Sequence, residues 1–378
     1  MVSSRSAAAS EGAGHIPSLD GIRAVAALLV FVSHAGLDDY IPGGFGVTVF
    51  FFLSGFLITT LLRREYEQSG TISLGRFYLR RVFRIIPPLY IVLLLLLFPA
   101  GWAGEHTPPS GLALGAQFAQ LTNYYLLFVD HWVIPDSVPT WSLAVEEHFY
   151  LLFPLLLIAL LRRASYRVTA LVLGAVCACV LAWRLWLILV WHVPSDYTFL
   201  ATDTRLDSLL YGCILGIGLS SLGKQPLLRW RTTSWVLVLL LAGAVLVASF
   251  LDRSEAFRAT WRYSLQGLAL MPIFFTAVAR SHWPIYRWLE SWPMRFLGLI
   301  SYTFYLIHLR ALRLAAYYVG GSHVLDAVLA FIASVAFAAA MYYLVERHLA
   351  AVRRRLHHLA AGAAFKGARV AGTSPPVS

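Results

Sequence analysis

Long apolar runs separated by short polar segments recur along almost the whole chain. A helix needs about twenty apolar residues to cross the roughly 30 Å hydrocarbon core of a bilayer. Helices are the spanning form that such runs imply, because every backbone polar group is then satisfied within the segment. The pattern predicts an all-α polytopic membrane protein of about ten transmembrane helices, near residues 19–36, 43–62, 83–100, 142–161, 168–192, 206–221, 234–251, 262–279, 297–318 and 324–345.

Composition supports the same class. The 378 residues are 59% hydrophobic and 13% charged, and the mean hydropathy of +0.69 fits no soluble domain of this length. The first apolar run follows a polar leader without the basic start of a secretory signal, and Arg23 interrupts it, so we expect a retained helix. We predict a flexible leader over 1–15, a transmembrane domain over 16–350 and a basic, disordered tail over 351–378.

The distribution of Lys and Arg predicts the orientation. One set of loops holds nearly all of them, in 63–84, 162–167, 224–231, 280–295 and the tail, whereas the opposite loops hold only Arg253, Arg258 and Arg262. The positive-inside rule then places both termini in the cytoplasm. The stretch 111–129 is apolar enough to cross, but a crossing there would move the arginines of 162–167 outside. We therefore interpret 101–141 as an outer-face loop or re-entrant element.

Charge and cysteine usage exclude several classes of partner. The net charge of +11 comes from residues spread over five cytoplasmic segments, which is typical of topology determinants beside anionic membrane lipid and not of a nucleic-acid site. The cysteines Cys177, Cys179 and Cys213 lie in predicted spans, as packing thiols do. No zinc spacing or nucleotide-binding loop occurs in the sequence, so no metal is predicted.

Two costly polar residues share the first span. Arg23 and His34 are eleven residues apart, or about 16 Å along a helix axis, and such residues in hydrocarbon indicate function by default. The spacing puts Arg23 near the cytoplasmic headgroups and His34 just past the midplane. The same arithmetic gives His308 a similar depth, so the two histidines are expected to meet. The alternative is that each is a packing histidine with a hydrogen-bonded neighbour.

Further polar residues open the fourth span and follow the second. Glu146, Glu147 and His148 begin an apolar helix, which is costly unless they face a cavity; an acidic helix N-terminus with Trp141 at the interface is the structural alternative. Arg205 marks the predicted outer end of span six. Before span three, Arg76, Arg80 and Arg84 recur every four residues, with Arg81 beside them. Such guanidinium groups bind lipid phosphates or a diphosphate ligand.

Taken together, these segments resemble the membrane-bound acyltransferase 3 family. The resemblance covers about residues 15–350 and rests on Leu19-Asp20-Gly21-Ile22-Arg23-Ala24, Ser33-His34, Gly43-Gly44-Phe45-Gly46-Val47, Phe51-Phe52-Leu53-Ser54-Gly55-Phe56, Arg81-x-x-Arg84, Trp141-Ser142-Leu143-Ala144-Val145-Glu146-Glu147, Ser301-Tyr302-Thr303-Phe304-Tyr305-Leu306-Ile307-His308 and Leu344-Val345-Glu346-Arg347. The chain departs from the family pattern at His148, Leu309 and His348, where members usually have Gln, Trp and Pro.

The resemblance implies an O-acyltransferase of the bacterial cytoplasmic membrane that moves an acyl group, often acetyl from acetyl-CoA, to a hydroxyl. The flexible arm of acyl-CoA, roughly 15–20 Å long, matches the Arg23-to-His34 rise. The donor phosphates are then expected on Arg23, Arg76, Arg80, Arg81 and Arg84. His34 acts at the thioester as general base or transient acyl carrier. Glu146 would orient His34 or the acceptor, with Glu147 and His308 as further catalytic candidates and Trp141, Ser142, Arg205, Tyr302 and Tyr305 as substrate-binding candidates.

The acceptor is the least defined part of the expectation. A cell-envelope carbohydrate or lipid-linked sugar is the first choice, recognised by the spans and loops or with an accessory envelope protein. The aromatic residues of 101–141 suit sugar stacking and an interfacial belt equally. A small metabolite such as a macrolide is the alternative acceptor. A proton-coupled transporter or flippase, with Arg, His and Glu as relay, is the alternative from another class.

Overall fold

The computed structural model describes residues 16–97, 108–221 and 230–352. Helices make up most of these ranges, and no strand occurs within them. The predicted leader and all but the first two residues of the predicted tail lie outside the described residues. The all-α prediction is confirmed for the part of the chain that the structure covers.

The described helices are α1 (Pro17–Val32, continued by a π-helical turn Ser33–Leu37), α2 (Gly43–Ser69), α3 (Leu74–Leu96), α4 (Gly111–Phe118), α5 (Thr122–Phe128), α6 (Thr140–Arg163), α7 (Tyr166–Leu189), α8 (Ser195–Leu200), α9 (Thr202–Ser221), α10 (Thr232–Leu251), α11 (Glu255–Ala259), α12 (Trp261–Ala279), α13 (Pro284–Arg287), α14 (Trp292–Tyr318) and α15 (His323–Met341). A 3₁₀ turn, Trp288–Glu290, precedes α14, and a π-helical turn, Tyr342–Glu346, follows α15.

A long helix overlaps most of each predicted span; the helices Leu74–Leu96 and Tyr166–Leu189 end before the predicted limits of residues 100 and 192. Within the described ranges, six helical segments are long and apolar enough to cross a membrane: Pro17–Leu37, Gly43–Ser69, Thr140–Arg163, Tyr166–Leu189, Thr232–Leu251 and His323–Val352. The other long helices, α3, α9, α12 and α14, are less apolar or more charged. The count of ten and the side on which the termini lie therefore stay predictions.

Two segments have helix boundaries that hydropathy alone would not predict. Helix α3 begins at Leu74, nine residues before the predicted start of span three at residue 83, because the arginine-rich segment and the apolar segment form one continuous helix. The ambiguous stretch 111–129 contains α4 and α5, of 8 and 7 residues. Each is too short to cross the hydrocarbon core, as the interpretation of 101–141 requires.

Glycine contacts bring pairs of helices close together. A Cβ atom on Gly55 would lie 2.0 Å from the Leu209 carbonyl oxygen, and one on Gly212 would lie 2.0 Å from the Phe52 carbonyl oxygen. Membrane helices associate through such small residues because they let backbones approach closely. Gly212 lies beside Phe52 and Phe56, and Gly216, one turn later, lies beside Phe56 and Thr59, so α2 and α9 run parallel.

A third glycine lies at a close contact between α1 and α14, the two helical segments that carry His34 and His308. A Cβ on Gly298 of α14 would lie 1.9 Å from the carbonyl oxygen of Asp20 in α1. Further along the same helices, the rings of Phe31 and Phe304 lie 5.6 Å apart. Helices α1 and α14 are therefore parallel neighbours, and their later turns lie side by side.

Buried ion pairs connect other helices. Arg184 of α7 and Asp207 of α9 are both fully buried and approach to 2.6 Å, and Ser264 of α12 donates to the same carboxylate at 2.7 Å. Near the start of α6, the carboxylate of Asp136 forms ion pairs with Arg310 and Arg313 of α14, with N–O distances of 2.5 and 2.8 Å. Removing one partner of such a pair leaves an uncompensated buried charge, which is strongly destabilising.

Candidate functional site

The histidines of α1 and α14 meet. His34 Nδ1 and His308 Nε2 are 2.9 Å apart, and their rings stack with centroids 5.1 Å apart and planes 29° apart. His308 is 1% exposed, whereas His34 is exposed. The expected meeting of the two residues is confirmed, and one of them is open to an incoming molecule.

The hydrogen bonds of His308 fix the tautomers of the neutral pair. Its Nδ1 lies 2.6 Å from the carbonyl oxygen of Tyr305, which can only accept, so Nδ1 carries the proton. The Nε2 of neutral His308 then accepts from Nδ1–H of His34. Neutral His34 consequently keeps a lone pair on Nε2, and no residue of the described ranges forms a hydrogen bond with that atom. The exposed end of the pair is a free base.

The local backbone explains the exposure of His34. Regular α1 ends at Val32, and the following π-helical turn contains non-helical backbone at Ala35 and at Gly36, whose φ is 96°. This left-handed conformation favours glycine, and short π turns often occur at functional sites. His34 therefore lies in the last turn of its helix and not, as the eleven-residue spacing assumed, within a regular helix.

A cavity lies on the Arg23 side of the histidine pair; Tyr305, the neighbour of His308, lines it, but neither histidine does. It encloses about 690 Å³ of empty space, part of it open to the surroundings. Its polar wall comes from α1, α2, α3, α6 and α14 and consists of Arg23, Ser54, Arg81, Arg84, Ser142, Glu146, Glu147, Tyr150, Ser301, Tyr302 and Tyr305. Five helices thus contribute to one polar space within an apolar bundle.

Three arginines of this wall lack an anionic partner. Arg23, Arg81 and Arg84 form no hydrogen bond or ion pair with any residue in the described ranges; Arg81 lies over the ring of Tyr150, 4.5 Å from its centroid. Arg23 and Arg81 are half-buried and Arg84 is exposed, and the carboxylates of Glu146 and Glu147 share the same wall. The three guanidinium groups are therefore available to an anionic ligand that enters the cavity.

Glu146 faces the same cavity but does not orient His34. Its carboxylate accepts from Tyr150 at 2.6 Å and from Ser54 at 3.0 Å. Neither Glu146 nor Glu147 contacts either histidine within the described residues. A role of Glu146 in orienting the acceptor stays a prediction, but the structure does not bring Glu146 to His34. The reason is that Tyr150, one turn later on α6, and Ser54 on α2 occupy its oxygens. Ser54 and Tyr150 were not among the predicted site residues, although the i, i+4 spacing of Glu146 and Tyr150 is visible in the sequence.

Ser142 and Tyr305 lie between the cavity and the histidines. The Tyr305 hydroxyl is 2.9 Å from Ser142 Oγ, and its ring centroid is 5.7 Å from that of His308. Tyr302, one turn earlier on α14, donates to the Ile85 carbonyl of α3 at 3.0 Å. Of the predicted substrate-binding residues, Ser142, Tyr302 and Tyr305 therefore line the cavity.

Arg205 and Trp141 lie behind the cavity wall. Arg205 is fully buried, and its guanidinium carbon lies 3.9 Å from the ring centroid of Tyr263 and 5.8 Å from that of Trp141. It also donates to Thr48 Oγ1 at 3.2 Å. These contacts enclose the cation among aromatic rings, a favourable arrangement for a guanidinium group. In this geometry neither residue reaches the cavity, so a direct substrate contact is not supported.

The predicted arginine stripe is divided in two. Arg76 and Arg80 contact the carboxylate of Glu65 at 3.1 and 3.4 Å and do not line the cavity. Arg81, the next residue, and Arg84, one turn further along α3, line it. The division arises because Glu65, near the end of α2, lies beside the first turns of α3.

With this geometry established, comparison with known proteins identifies the family. A family model described as an acyltransferase domain, that of acyltransferase 3, matches residues 16–343. The chain belongs to this family. It is 29% identical over 313 residues to the peptidoglycan O-acetyltransferase OatA of Listeria monocytogenes, covering 78% of this chain and 49% of that protein. It is likewise 29% identical over 305 residues to the O-acetyltransferase OatA of Staphylococcus aureus strain NCTC 8325, covering 78% and 50%.

The chain spans about half the length of the curated relatives it matches. Family membership and six apolar helices make it a multi-pass integral protein of the bacterial cytoplasmic membrane. The acyltransferase family also favours group transfer over the transporter or flippase alternative.

Proposed function

We propose that the protein transfers an acetyl group from acetyl-CoA to a hydroxyl of a cell-envelope carbohydrate. The observation that carries the proposal is the cavity with three unpaired arginines, Arg23, Arg81 and Arg84, next to the hydrogen-bonded histidine pair. Coenzyme A carries several phosphate charges at one end and a thioester at the other. The arginines suit the first end, and the histidines suit the second.

The arginines bind the donor through its phosphates. A guanidinium group offers two parallel N–H donors to a phosphate, and such charge-assisted bonds are among the strongest in proteins. Arg23 and Arg84 come from different helices, so they contact the ligand from two sides of the cavity. The acyl arm then extends past Glu146 and Tyr302 towards Tyr305, whose ring lies beside His308.

His34 acts as the general base. Its Nε2 takes the proton of the acceptor hydroxyl while the hydroxyl oxygen attacks the thioester carbonyl carbon. The tetrahedral intermediate collapses, the carbon–sulfur bond breaks, and the departing thiolate receives the proton from the His34 imidazolium. The products are an ester and free coenzyme A. His308 acts as a positioning residue because it accepts the Nδ1–H bond and holds the ring of His34 in the tautomer that a base needs.

The acceptor class follows from the relatives. The Listeria monocytogenes protein is named a peptidoglycan O-acetyltransferase, which favours an envelope glycan over a small metabolite such as a macrolide. Because the chain spans about half of that protein, the proposal is limited to the class of acceptor: a carbohydrate hydroxyl of the cell envelope.

Transfer of radiolabelled acetyl from acetyl-CoA to glycan isolated from the host envelope tests the proposal. Purified protein in lipid nanodiscs should label the glycan, and His34→Ala should lower the rate by about a hundredfold or more, the usual contribution of a general base. His282→Ala is the matched control, because His282 is exposed and lies outside the site. Absence of transfer by the wild type, or equal rates for wild type and His34→Ala, would contradict the proposal.

A further inference from the structure

The cavity has a charged end and an apolar end. A Cβ atom on Gly43 would lie 2.6 Å from the Ser33 side chain, and one on Gly46 would lie 2.5 Å from the Ala26 carbonyl oxygen. Helix α2 therefore runs antiparallel to α1, and its first turns lie level with the later turns of α1. The end of the cavity that the first turns of α2 line is consequently the end nearer the histidine pair, whereas Arg23 lies at the other end.

Two aromatic rings close the apolar end. Phe50 of α2 and Tyr305 of α14 both line the cavity, and their rings lie edge to face with centroids 6.1 Å apart. Val47, one turn before Phe50, and Leu143, the neighbour of Ser142, add aliphatic surface to the same wall. An acyl group that enters the cavity from its charged end therefore meets the rings of Phe50 and Tyr305.

The same two rings lie between the cavity and the histidine pair. Neither histidine lines the cavity, but the ring centroid of Tyr305 is 5.7 Å from that of His308. Phe50 packs against the apolar cluster of α1, α14 and α15 that includes Phe31, and the ring centroid of Phe31 is 6.4 Å from that of His308. Each ring thus borders both the cavity and the residues around the histidines, so the direct way from the cavity to His34 leads between them.

The two rings differ in how they are held. The Tyr305 hydroxyl donates to the Pro139 carbonyl at 3.0 Å and lies 2.9 Å from Ser142 Oγ, and the side chain is buried. Phe50 is half-buried and has no polar side-chain atom, so apolar contacts alone fix its ring. Movement of Phe50 therefore costs less than movement of Tyr305, because no hydrogen bond has to break.

Anchoring of the donor at its charged end gives the aromatic end a role in selection. In the proposed function the phosphates stay on Arg23, Arg81 and Arg84, and the arm of coenzyme A is the same in every donor, so the thioester reaches the same depth. Carbon atoms beyond the thioester then occupy the space beside Phe50 and Tyr305. An acetyl group adds one methyl group there, whereas a longer chain adds methylene groups that a close-packed wall accommodates only if a ring is displaced.

We propose that Phe50 determines the length of the acyl group, because the paired rings of Phe50 and Tyr305 admit an acetyl group and exclude longer acyl chains. Tyr305 is the fixed surface against which the acyl group packs. Phe50 is the specificity-determining residue, since its ring is the one that can move and whose size sets the remaining space. This inference rests on the proposed function, because it assigns how the donor of that reaction is selected.

Equilibrium binding of donor analogues tests the assignment without any acceptor. The probes are coenzyme A and its S-ethyl and S-hexyl thioethers, which cannot transfer their alkyl groups. The protein is placed in phosphatidylcholine nanodiscs, and empty nanodiscs correct for partition of each probe into lipid. The variants are Phe50→Ala and the smaller change Phe50→Leu. Phe45→Ala is the matched control, because Phe45 lies on the same helix and is also half-buried, but it contacts the ring of Phe250 and does not line the cavity.

We expect wild-type protein to bind the S-hexyl probe about tenfold or more weakly than the S-ethyl probe, as overpacking of a close-packed site requires. Phe50→Ala should reduce this difference to about twofold or less, with Phe50→Leu intermediate and Phe45→Ala equal to wild type; binding of the S-ethyl probe shows that each variant is folded. Equal affinity of wild type for the two thioethers, or a difference that both Phe50 variants leave intact, overturns the assignment. Absence of coenzyme A binding by wild type instead contradicts the proposed function, and the assignment with it.

Discussion

At the scale of single residues, one carbonyl determines the state of the histidine pair. The Tyr305 carbonyl accepts from His308 Nδ1, so the proton on that atom is fixed, and the lone pair at the other end of the pair is carried by exposed His34. The two hydrogen-bonded histidines are therefore not equivalent. In the proposed function His34 is the base, and His308 positions it.

The difference between Arg84 and Arg80 gives a prediction at this scale. Arg84→Gln should raise the KM for acetyl-CoA about tenfold, because an unpaired guanidinium group that contacts a phosphate is lost. Arg80→Gln should change that KM by no more than about twofold, because Glu65 already occupies this guanidinium group. Steady-state kinetics with acetyl-CoA as the varied substrate measure both. Equal increases for the two variants would show that the whole stripe binds the donor.

Single residues also show what spacing can predict. The depths of His34 and His308 in the membrane, calculated from the rise per residue of a helix, predicted that the two residues meet. The calculation worked because each residue belongs to a long helical segment. It did not predict that Glu65 separates Arg80 from Arg84, or that Arg205 is enclosed by aromatic rings. Those outcomes depend on side chains from helices far away in sequence, whose mutual arrangement is not encoded in local periodicity.

At the scale of elements, the site depends on close helix packing. Helices α2 and α9 approach at Gly55 and Gly212, and α2 carries Ser54, the neighbour of Gly55 that donates to Glu146. A shift of α2 away from α9 would therefore move part of the cavity wall. The register of these helices was not predicted, because an apolar run in the sequence indicates the length of a helix but not which helices pack against it.

Two alanine substitutions in α9 test the importance of this packing. Gly212→Ala places a Cβ 2.0 Å from the Phe52 carbonyl oxygen, so it should destabilise the protein by about 1–3 kcal/mol, as overpacking does. Gly218→Ala on the same helix has no atom within 4 Å of the new Cβ and should be neutral or slightly stabilising. Thermal unfolding followed by tryptophan fluorescence compares them. Equal midpoints for the two variants would show that α2 and α9 do not pack as described.

Helix existence was more predictable than helix limits. Every predicted span corresponds to a long helix, because long apolar runs are a strong signal. The start of α3 at Leu74 was missed because its first turns are rich in arginine and therefore not apolar. The short helices α4 and α5 were likewise treated as one loop or re-entrant element, since two helices of 8 and 7 residues resemble an interrupted span.

At the scale of the whole molecule, the two parts of the proposed site lie at different levels of the bundle. The cavity of Arg23, Arg81 and Arg84 adjoins the predicted cytoplasmic end, and exposed His34 lies at the last turn of α1, towards the predicted outer end. In the proposed function, a charged donor remains on one side of the membrane while the acceptor remains on the other. Only the acetyl group then has to pass the middle of the bundle.

Transfer across a sealed membrane tests this account most directly. The protein is reconstituted in liposomes with radiolabelled acetyl-CoA enclosed and envelope glycan outside, and label on the glycan is counted for wild type and His34→Ala. In some of the protein molecules the predicted cytoplasmic end faces the lumen, where the acetyl-CoA is. We expect these molecules to label the glycan outside the liposomes, and we expect His34→Ala to abolish the labelling. Labelling only when donor and glycan share one compartment would contradict it.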